Sequence, residues 1–140
     1  LKAVGESMEQ PLKYYDNNVV GSTVLMHVME ENDVHVLVFS SSATVYGDPQ
    51  TETGMLDESH PLAPINVYGR TKLMVEELVR DYGSANPDFT GLLLRYFNPI
   101  GTDPKLRSGQ QLEHPSHVLA KLGAASRVQA ALWWGRHGEG

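Results

Sequence analysis

The sequence contains no cysteine, which excludes disulfide bonds and thiolate metal ligands. No apolar run approaches the roughly 20 residues that a membrane-spanning helix needs. Basic residues are scarce as well, since 11 lysines and arginines stand against 17 aspartates and glutamates, for a formal net charge of −6. This balance argues against a surface for nucleic acid or for an anionic membrane. Together these absences suit a cytoplasmic protein.

The beginning of the chain lacks both an initiator methionine and the charged-then-apolar pattern of a signal peptide. Because the first residue is not methionine, we expect the chain to begin inside a longer polypeptide. Its 140 residues have the length of one domain, and a hydrophobic content of 41% is ordinary for a globular protein.

Helical spacing predicts a first helix over residues 12–31, closed by Asn32 and Asp33. The predicted inward stripe of this helix consists of Tyr15, Val19, Thr23 (or Ser22), Met26 and Met29. A strand is expected over residues 34–41, and its continuous apolar run predicts cover on both faces. The polar segment 47–66 is rich in proline and reads as a long loop, whose length suggests function or mobility.

A second helix is predicted over residues 67–82 and a second strand over 90–98. The buried stripe of this helix is predicted to be Tyr68, Lys72, Val75, Val79 and Tyr82. Glu76 and Arg80, four residues apart, are expected to pair on its solvent side. Helices that alternate with strands indicate an α/β fold with a parallel sheet and right-handed crossovers.

Three kinds of reactive side chain meet in this pattern. Tyr68 and Lys72 are about one helical turn apart, so both project from one face, and a nearby ammonium favours the tyrosinate. The serines at 40–42 and the residues at 96–98 end the two strands, where ligands bind in parallel α/β sheets. A serine hydroxyl there can pass a proton between a substrate hydroxyl and the phenolate. The set fits oxidation or reduction of an alcohol carbon beside a nicotinamide, although each part alone is also common by chance or as a polar strand end.

Five segments resemble the UDP-glucose 4-epimerases of the extended short-chain dehydrogenase/reductase group. They are residues 1–7 (LKAVGES), 14–19 (YYDNNV), 38–47 (VFSSSATVYG), 68–74 (YGRTKLM) and 93–99 (LLRYFNP). The resemblance covers residues 1–104 and implies a partial doubly wound, Rossmann-like sheet. It also implies bound NAD, a UDP-sugar substrate, a role in galactose metabolism and a homodimer.

The resemblance also implies roles for individual residues. The implied catalytic residues are Ser42, Tyr68 and Lys72, with Tyr68 as the base. The implied NAD-binding residues are Lys2, Asn17, Ser40, Tyr68, Lys72, Tyr96 and Phe97. The implied UDP-sugar contacts are Ser42, Tyr68 and Asn98. No metal is expected: His114 and His117 are three residues apart, but no third ligand is placed to complete a site.

Two alternatives remain. Sugar-nucleotide dehydratases are the nearest competitors, but where they carry an acidic pair this chain has Ala43 and Thr44, which cannot supply acid and base. The chain also lacks the family's glycine-rich turn for the dinucleotide pyrophosphate, so an inactive remnant that binds no NAD is the second alternative. Residues 1–104 are expected to form the partial NAD-binding and catalytic domain. Residues 105–140 are expected to be a divergent, poorly ordered tail, with a frame-shifted or mis-spliced end as a hypothesis.

Overall fold

A parallel pair of strands organises the protein, as seen in a computed structural model that describes residues 1–48 and 56–98. Strand β1 spans Val36–Ser42 and strand β2 spans Thr90–Tyr96. They pair in parallel from Val36 opposite Thr90 to Ser42 opposite Tyr96. The predicted α/β class with a parallel sheet is thereby confirmed. The expected tail, with His114 and His117, lies outside the described residues.

The helices precede and connect these strands. They are α1 (Val4–Glu9), α2 (Pro11–Tyr14), α3 (Gly21–Glu31) and α4 (Val67–Ala85). A π-helical segment, Tyr15–Val20, joins α2 to α3, and a short 3-10 helix, Ala43–Tyr46, follows β1. The predicted helix over 12–31 is therefore present in three parts. Helix α1 was not predicted, because its six residues carry no apolar stripe long enough to recognise.

The π-helical segment changes which side chains of the first helical region face inward. A π-turn is wider than an α-turn and shifts the buried stripe. Tyr14 is fully buried instead of the predicted Tyr15, while Met26 and Met29 are buried as expected. Beyond α3 the chain turns at Asp33, whose φ of 53° lies in the left-handed region.

The core lies between helices α3 and α4 and one face of the sheet. Its buried members are Met26, Met29, Val75, Val79 and Phe89, with Leu37, Phe39 and Leu93 of the strands packed against them. Tyr82 and Phe89 add an edge-to-face ring contact with 4.9 Å between centroids. Of the predicted stripe of α4, Val75, Val79 and Tyr82 pack in or against this core, whereas Tyr68 and Lys72 are half-buried and lie outside it.

The other face of the sheet corrects a prediction. Continuous apolarity in β1 predicted cover on both faces, yet Val36 and Val38 are 61% and 55% exposed. On β2, Leu92 and Leu94 are also exposed, and Val38 is the register partner of Leu92. Among the described residues, helices pack only on the opposite face, so this apolar row faces outward.

The residues Leu1–Phe97 form one compact unit. A second unit spans Asn98–Gly140, and Asn98 is its single described residue. The expected boundary at residue 104 remains a prediction. No helix among the described residues has the length and apolar character needed to cross a membrane.

Candidate active site

Helix α4 presents Tyr68 and Lys72 from its first two turns. Its start is fixed by Asn66, whose side-chain Oδ1 accepts a hydrogen bond from the backbone N–H of Gly69 at 2.8 Å. The ammonium group of Lys72 lies 5.8 Å from the centroid of the Tyr68 ring, within the range of a cation–π contact. The phenol ring of Tyr68 and the ammonium of Lys72 therefore lie on one side of the helix.

The same ammonium reaches the end of strand β1. Lys72 Nζ donates a 2.8 Å hydrogen bond to the carbonyl oxygen of Ser40 and sits 4.7 Å from the centroid of the Phe39 ring. Burial lowers the pKa of the Lys72 amine, because the charged form loses contact with water. The structure thus brings together Tyr68, Lys72 and Ser40.

Ser42 closes β1 and leads into the 3-10 helix. Its buried hydroxyl oxygen accepts hydrogen bonds from the backbone N–H of Thr44 at 3.3 Å and from Thr44 Oγ1 at 3.0 Å. These contacts fix the hydroxyl at the carboxyl end of the strand. That is the edge at which parallel sheets bind ligands.

Gly69 explains how the segment after Ser42 comes so close to α4. A Cβ at this position would lie 2.8 Å from the carbonyl oxygen of Thr44 and 3.0 Å from Cβ of Pro64. Only a residue without a side chain permits this approach. Gly69 directly follows Tyr68, so the close contact holds the 3-10 helix next to the turn that carries the phenol.

Strand β2 brings two further predicted residues to the same edge. Tyr96 is the register partner of Ser42, and Phe97 follows it. Their side chains are 52% and 61% exposed, so both rings are accessible. Asn98 comes next and is exposed, but it belongs to the second unit. Its expected contact with a UDP-sugar remains a prediction.

The π-helical segment connects the remaining predicted residues to α4. The exposed side chain of Asn17 accepts a 3.1 Å hydrogen bond from the amino group of Leu1, the neighbour of the exposed Lys2. The next side chain, Asn18, is buried and donates to Thr71 Oγ1 at 3.1 Å. Thr71 Oγ1 in turn donates to the carbonyl oxygen of Tyr68 at 2.8 Å. The segment with Lys2 and Asn17 is thus tied to the Tyr68 turn.

A second tie to the same turn comes from Ser7 of helix α1. Its hydroxyl accepts a 3.1 Å hydrogen bond from the backbone N–H of Tyr68, and its side chain is fully buried. Neither Ser7 nor Asn18 stood out in the sequence, because a single buried polar side chain leaves no periodic pattern.

Glu76 corrects another prediction. It does pair with Arg80, at 2.8 Å, but its side chain is fully buried and does not face solvent. The reason is Arg95 on β2, which projects from the same face as Leu93 and binds the Glu76 carboxylate at 2.7 Å. Arg95 is a charged residue at an inward strand position, and that was the one sequence signal from which a buried partner for Glu76 could have been expected.

Comparison with known proteins identifies the family. The sequence profile described as "NAD dependent epimerase/dehydratase family" matches residues 1–136. The chain belongs to this family. It is 52% identical to a UDP-glucose 4-epimerase of Dictyostelium discoideum over 122 aligned residues. The alignment covers 87% of this chain and 34% of that protein. A UDP-glucose 4-epimerase of Bacillus subtilis is 52% identical over 110 residues, covering 79% of this chain and 32% of that protein.

Solved structures give the same picture. A UDP-glucose-4-epimerase from Stenotrophomonas maltophila, solved with NAD and formylated UDP-arabinopyranose, has a TM-score of 0.81 and 39% identity, covering 94% of this chain and 38% of that one. A UDP-Glc/GlcNAc 4-epimerase from Campylobacter jejuni has a TM-score of 0.70 and 45% identity, covering 88% of this chain and 36% of that one. The fold is thus the Rossmann-like fold of these enzymes in part. The chain spans about a third of the length of the relatives it matches.

The described residues were also compared with the ligand groups that hold metal ions. Within residues 1–48 and 56–98, no group of three or more histidine, aspartate or glutamate side chains is arranged to hold a metal ion.

Proposed function

We propose that this chain is the central part of a UDP-glucose 4-epimerase, which interconverts UDP-glucose and UDP-galactose by transient oxidation at C4 in the cytoplasm. The observation that carries the proposal is the position of the Lys72 ammonium. It is hydrogen-bonded to the Ser40 carbonyl at the end of β1 and faces the Tyr68 ring. The relatives named as UDP-glucose 4-epimerases support the choice of reaction.

In the proposed mechanism, Tyr68 is the base that takes the proton from the 4-hydroxyl of the sugar. Ser42 contacts the same oxygen and passes the proton between it and the phenolate. NAD, when bound, would supply the acceptor for the C4 hydride and the donor for its return. After the 4-keto sugar has turned over in the site, Tyr68 gives the proton back. The net redox change is zero, so the cofactor is not consumed.

The residues at this edge fit a nicotinamide cofactor. An ammonium has three N–H donors, and the bond from Lys72 to Ser40 uses one, which allows others to address the ribose hydroxyls. The exposed rings of Tyr96 and Phe97 offer apolar surface at the same strand end. The proposed NAD-binding residues are Lys2, Asn17, Ser40, Tyr68, Lys72, Tyr96 and Phe97.

The proposed substrate is a UDP-sugar, held by Ser42, Tyr68 and Asn98. Positioning and proton transfer would carry the rate, because no protein nucleophile is needed. Ala43 and Thr44 follow Ser42, and neither is acidic, which favours epimerisation over the dehydratase reaction.

A second candidate is an inactive remnant that binds no NAD. The outward apolar row of the sheet favours it, because exposed apolar strands are an aggregation liability when no other structure covers them.

One experiment separates the two candidates. The 140-residue chain is mixed with NAD and UDP-galactose, UDP-glucose formation is assayed, and NAD binding is measured in parallel by calorimetry. The epimerase proposal expects NAD binding and UDP-glucose formation. A folded chain with neither binding nor turnover would support the remnant.

We also propose that the enzyme works as a homodimer. Supporting it, Val20, Val24 and Val28 lie four residues apart along one helical face and are 54%, 54% and 49% exposed. Sedimentation equilibrium tests this directly. A Val24→Glu substitution should shift a dimer to monomer, and a strictly monomeric wild type at high concentration would rule the dimer out.

A further inference from the structure

The carboxylate of Glu76 joins three elements, helix α4 and strands β1 and β2, next to the candidate active site. Its Oε1 accepts from Ser41 Oγ at 2.5 Å and from Arg95 Nε at 3.0 Å. Its Oε2 accepts from Arg95 Nη2 at 2.7 Å and from Arg80 Nη2 at 2.8 Å. Helix α4 is thereby bonded to β1 through Ser41 and to β2 through Arg95, which are register partners.

This junction lies next to the contact that orients Lys72. Glu76 follows Lys72 by one helical turn, and Ser41 follows Ser40. The Lys72–Ser40 and Glu76–Ser41 hydrogen bonds are therefore neighbouring links, here called rungs, between α4 and β1. A helix that slid along β1 would break both rungs. The Glu76 rung resists sliding more strongly, since a fully buried carboxylate separated from its partners loses several charge-assisted hydrogen bonds at once.

The junction also reaches the segment after Ser42. Arg95 Nη1 donates a 2.8 Å hydrogen bond to the hydroxyl of Tyr46, and its guanidinium lies 4.9 Å from the centre of the Tyr46 ring. Tyr46 ends the 3-10 helix that begins directly after Ser42. One carboxylate therefore fixes, through Arg95, the far end of the turn that holds the serine.

The charges are consistent with an ionised carboxylate. Burial alone would raise the pKa of Glu76, but the hydrogen bonds and positive charges of its partners outweigh burial and lower it. Two guanidiniums face one carboxylate, and Arg80 is half exposed, so its excess charge remains in contact with water.

We propose that Glu76 is a positioning residue: it holds the turn of α4 that carries Lys72, and with it Tyr68, at the right distance from Ser40 and Ser42. The proposal rests on the proposed function only for its consequence in catalysis. The structural part of the proposal is that the Lys72–Ser40 contact depends on Glu76, and this can be tested without an activity assay.

The test compares Glu76→Gln with Glu77→Gln in the 140-residue chain. Glu77 is the exposed next residue of the same helix, so its variant makes the same charge change without touching the junction. Circular dichroism first establishes that each variant is folded. The side-chain ammonium signal of Lys72 is then recorded by NMR on lysine-labelled protein and assigned with Lys72→Met. We expect a protected signal in the wild type and in Glu77→Gln, and its loss in folded Glu76→Gln.

A folded Glu76→Gln variant with an unchanged Lys72 signal would overturn the proposal, as would a wild type without a protected signal. If Glu76→Gln does not fold, Ser41→Ala decides, because it removes only the rung to β1. A weakened Lys72 signal in Ser41→Ala supports the proposal, and an unchanged one rejects it.

Turnover gives the catalytic consequence. Displacement of a catalytic group by about 1 Å can cost about 100-fold in rate, so Glu76→Gln should lower kcat by about that factor with KM little changed. A folded wild-type chain with neither NAD binding nor turnover would support the inactive remnant while leaving the NMR result on Glu76 intact. An active Glu76→Gln variant with normal kcat would contradict the positioning role alone.

Discussion

The ammonium of Lys72 donates a hydrogen bond to the backbone carbonyl of Ser40 across 2.8 Å, linking helix α4 to the carboxyl end of β1. A carbonyl is a fixed partner, since it cannot rotate away as a side chain can. The contact therefore sets where the helix presents Tyr68 relative to the serines that follow.

The proposed mechanism predicts the fate of the hydrogen at C4 of the sugar. If it leaves and returns as a hydride inside the site, UDP-galactose that carries deuterium at C4 should give UDP-glucose with deuterium still at C4. Mass spectrometry of the product formed in ordinary water measures this. Deuterium replaced by hydrogen from solvent would indicate removal of C4 hydrogen as a proton, and would contradict the mechanism.

Gly69→Ala should destabilise the protein by about 1–3 kcal/mol, because overpacking forces neighbouring groups apart. Its Cβ would stand 2.8 Å from the Thr44 carbonyl oxygen, which is backbone and cannot swing aside. Gly83→Ala is the matched control on the same helix, since its Cβ would make an ordinary 3.5 Å contact with Phe89. The control should be neutral or gain up to about 1 kcal/mol from helix propensity.

Urea unfolding of the two alanine variants measures both effects. Equal free energies of unfolding for Gly69→Ala and the wild type would show that the segment after Ser42 does not need the close approach.

Asn66→Ala should cost about 1 kcal/mol, because it removes the side chain that caps the first turn of α4. Asn66→Asp supplies an oxygen in the same place and should restore most of that loss. Thermal unfolding of the three proteins is the measurement. An alanine variant as stable as the wild type would mean that the cap does not hold the turn that bears Tyr68.

Acidification should unfold the protein partly through Glu76. Its partners lower its pKa in the folded state below the ordinary value of 4.5, so the folded protein binds fewer protons there than the unfolded chain. The stabilisation is present above pH 4.5 and is lost as the pH falls through the lower folded-state pKa. As the pH falls from about 5 to the acid limit of the urea assay, the free energy of unfolding should therefore decrease more in the wild type than in Glu76→Gln.

Glu77→Gln serves as the control for the change in net charge and should keep the pH dependence of the wild type. Identical pH dependence in Glu76→Gln and the wild type would show that folding does not lower the pKa of Glu76.

The sequence was sufficient for the parts of the fold that repeat. Helical periodicity located the region of α2 and α3 and the buried stripe of α4, and the β-branched run located β1. The reactive residues were also readable, because Tyr68 and Lys72 share a helical face and the serines follow a strand. Their roles as base, proton relay and cofactor contact remain predictions.

What the sequence did not reveal depends on contacts between distant residues. The burial of Glu76 follows from Arg95, which is nineteen residues away in the chain but adjacent across the fold. The need for glycine at Gly69 comes from a carbonyl on another segment. The π-helical turn, which moves burial from Tyr15 to Tyr14, was not distinguished by periodicity from the single helix predicted over residues 12–31.

The central claim is that Tyr68 is the base of a UDP-sugar epimerase, and the most direct test is the Tyr68→Phe variant. The variant keeps the ring beside Lys72 and removes only the hydroxyl, so NAD should still bind. Conversion of UDP-galactose to UDP-glucose is measured in a full-length context for the variant and the wild type under identical conditions. The account predicts that the wild type converts the sugar and that the variant does not, with NAD still bound in both. Near-normal turnover in Tyr68→Phe would contradict it.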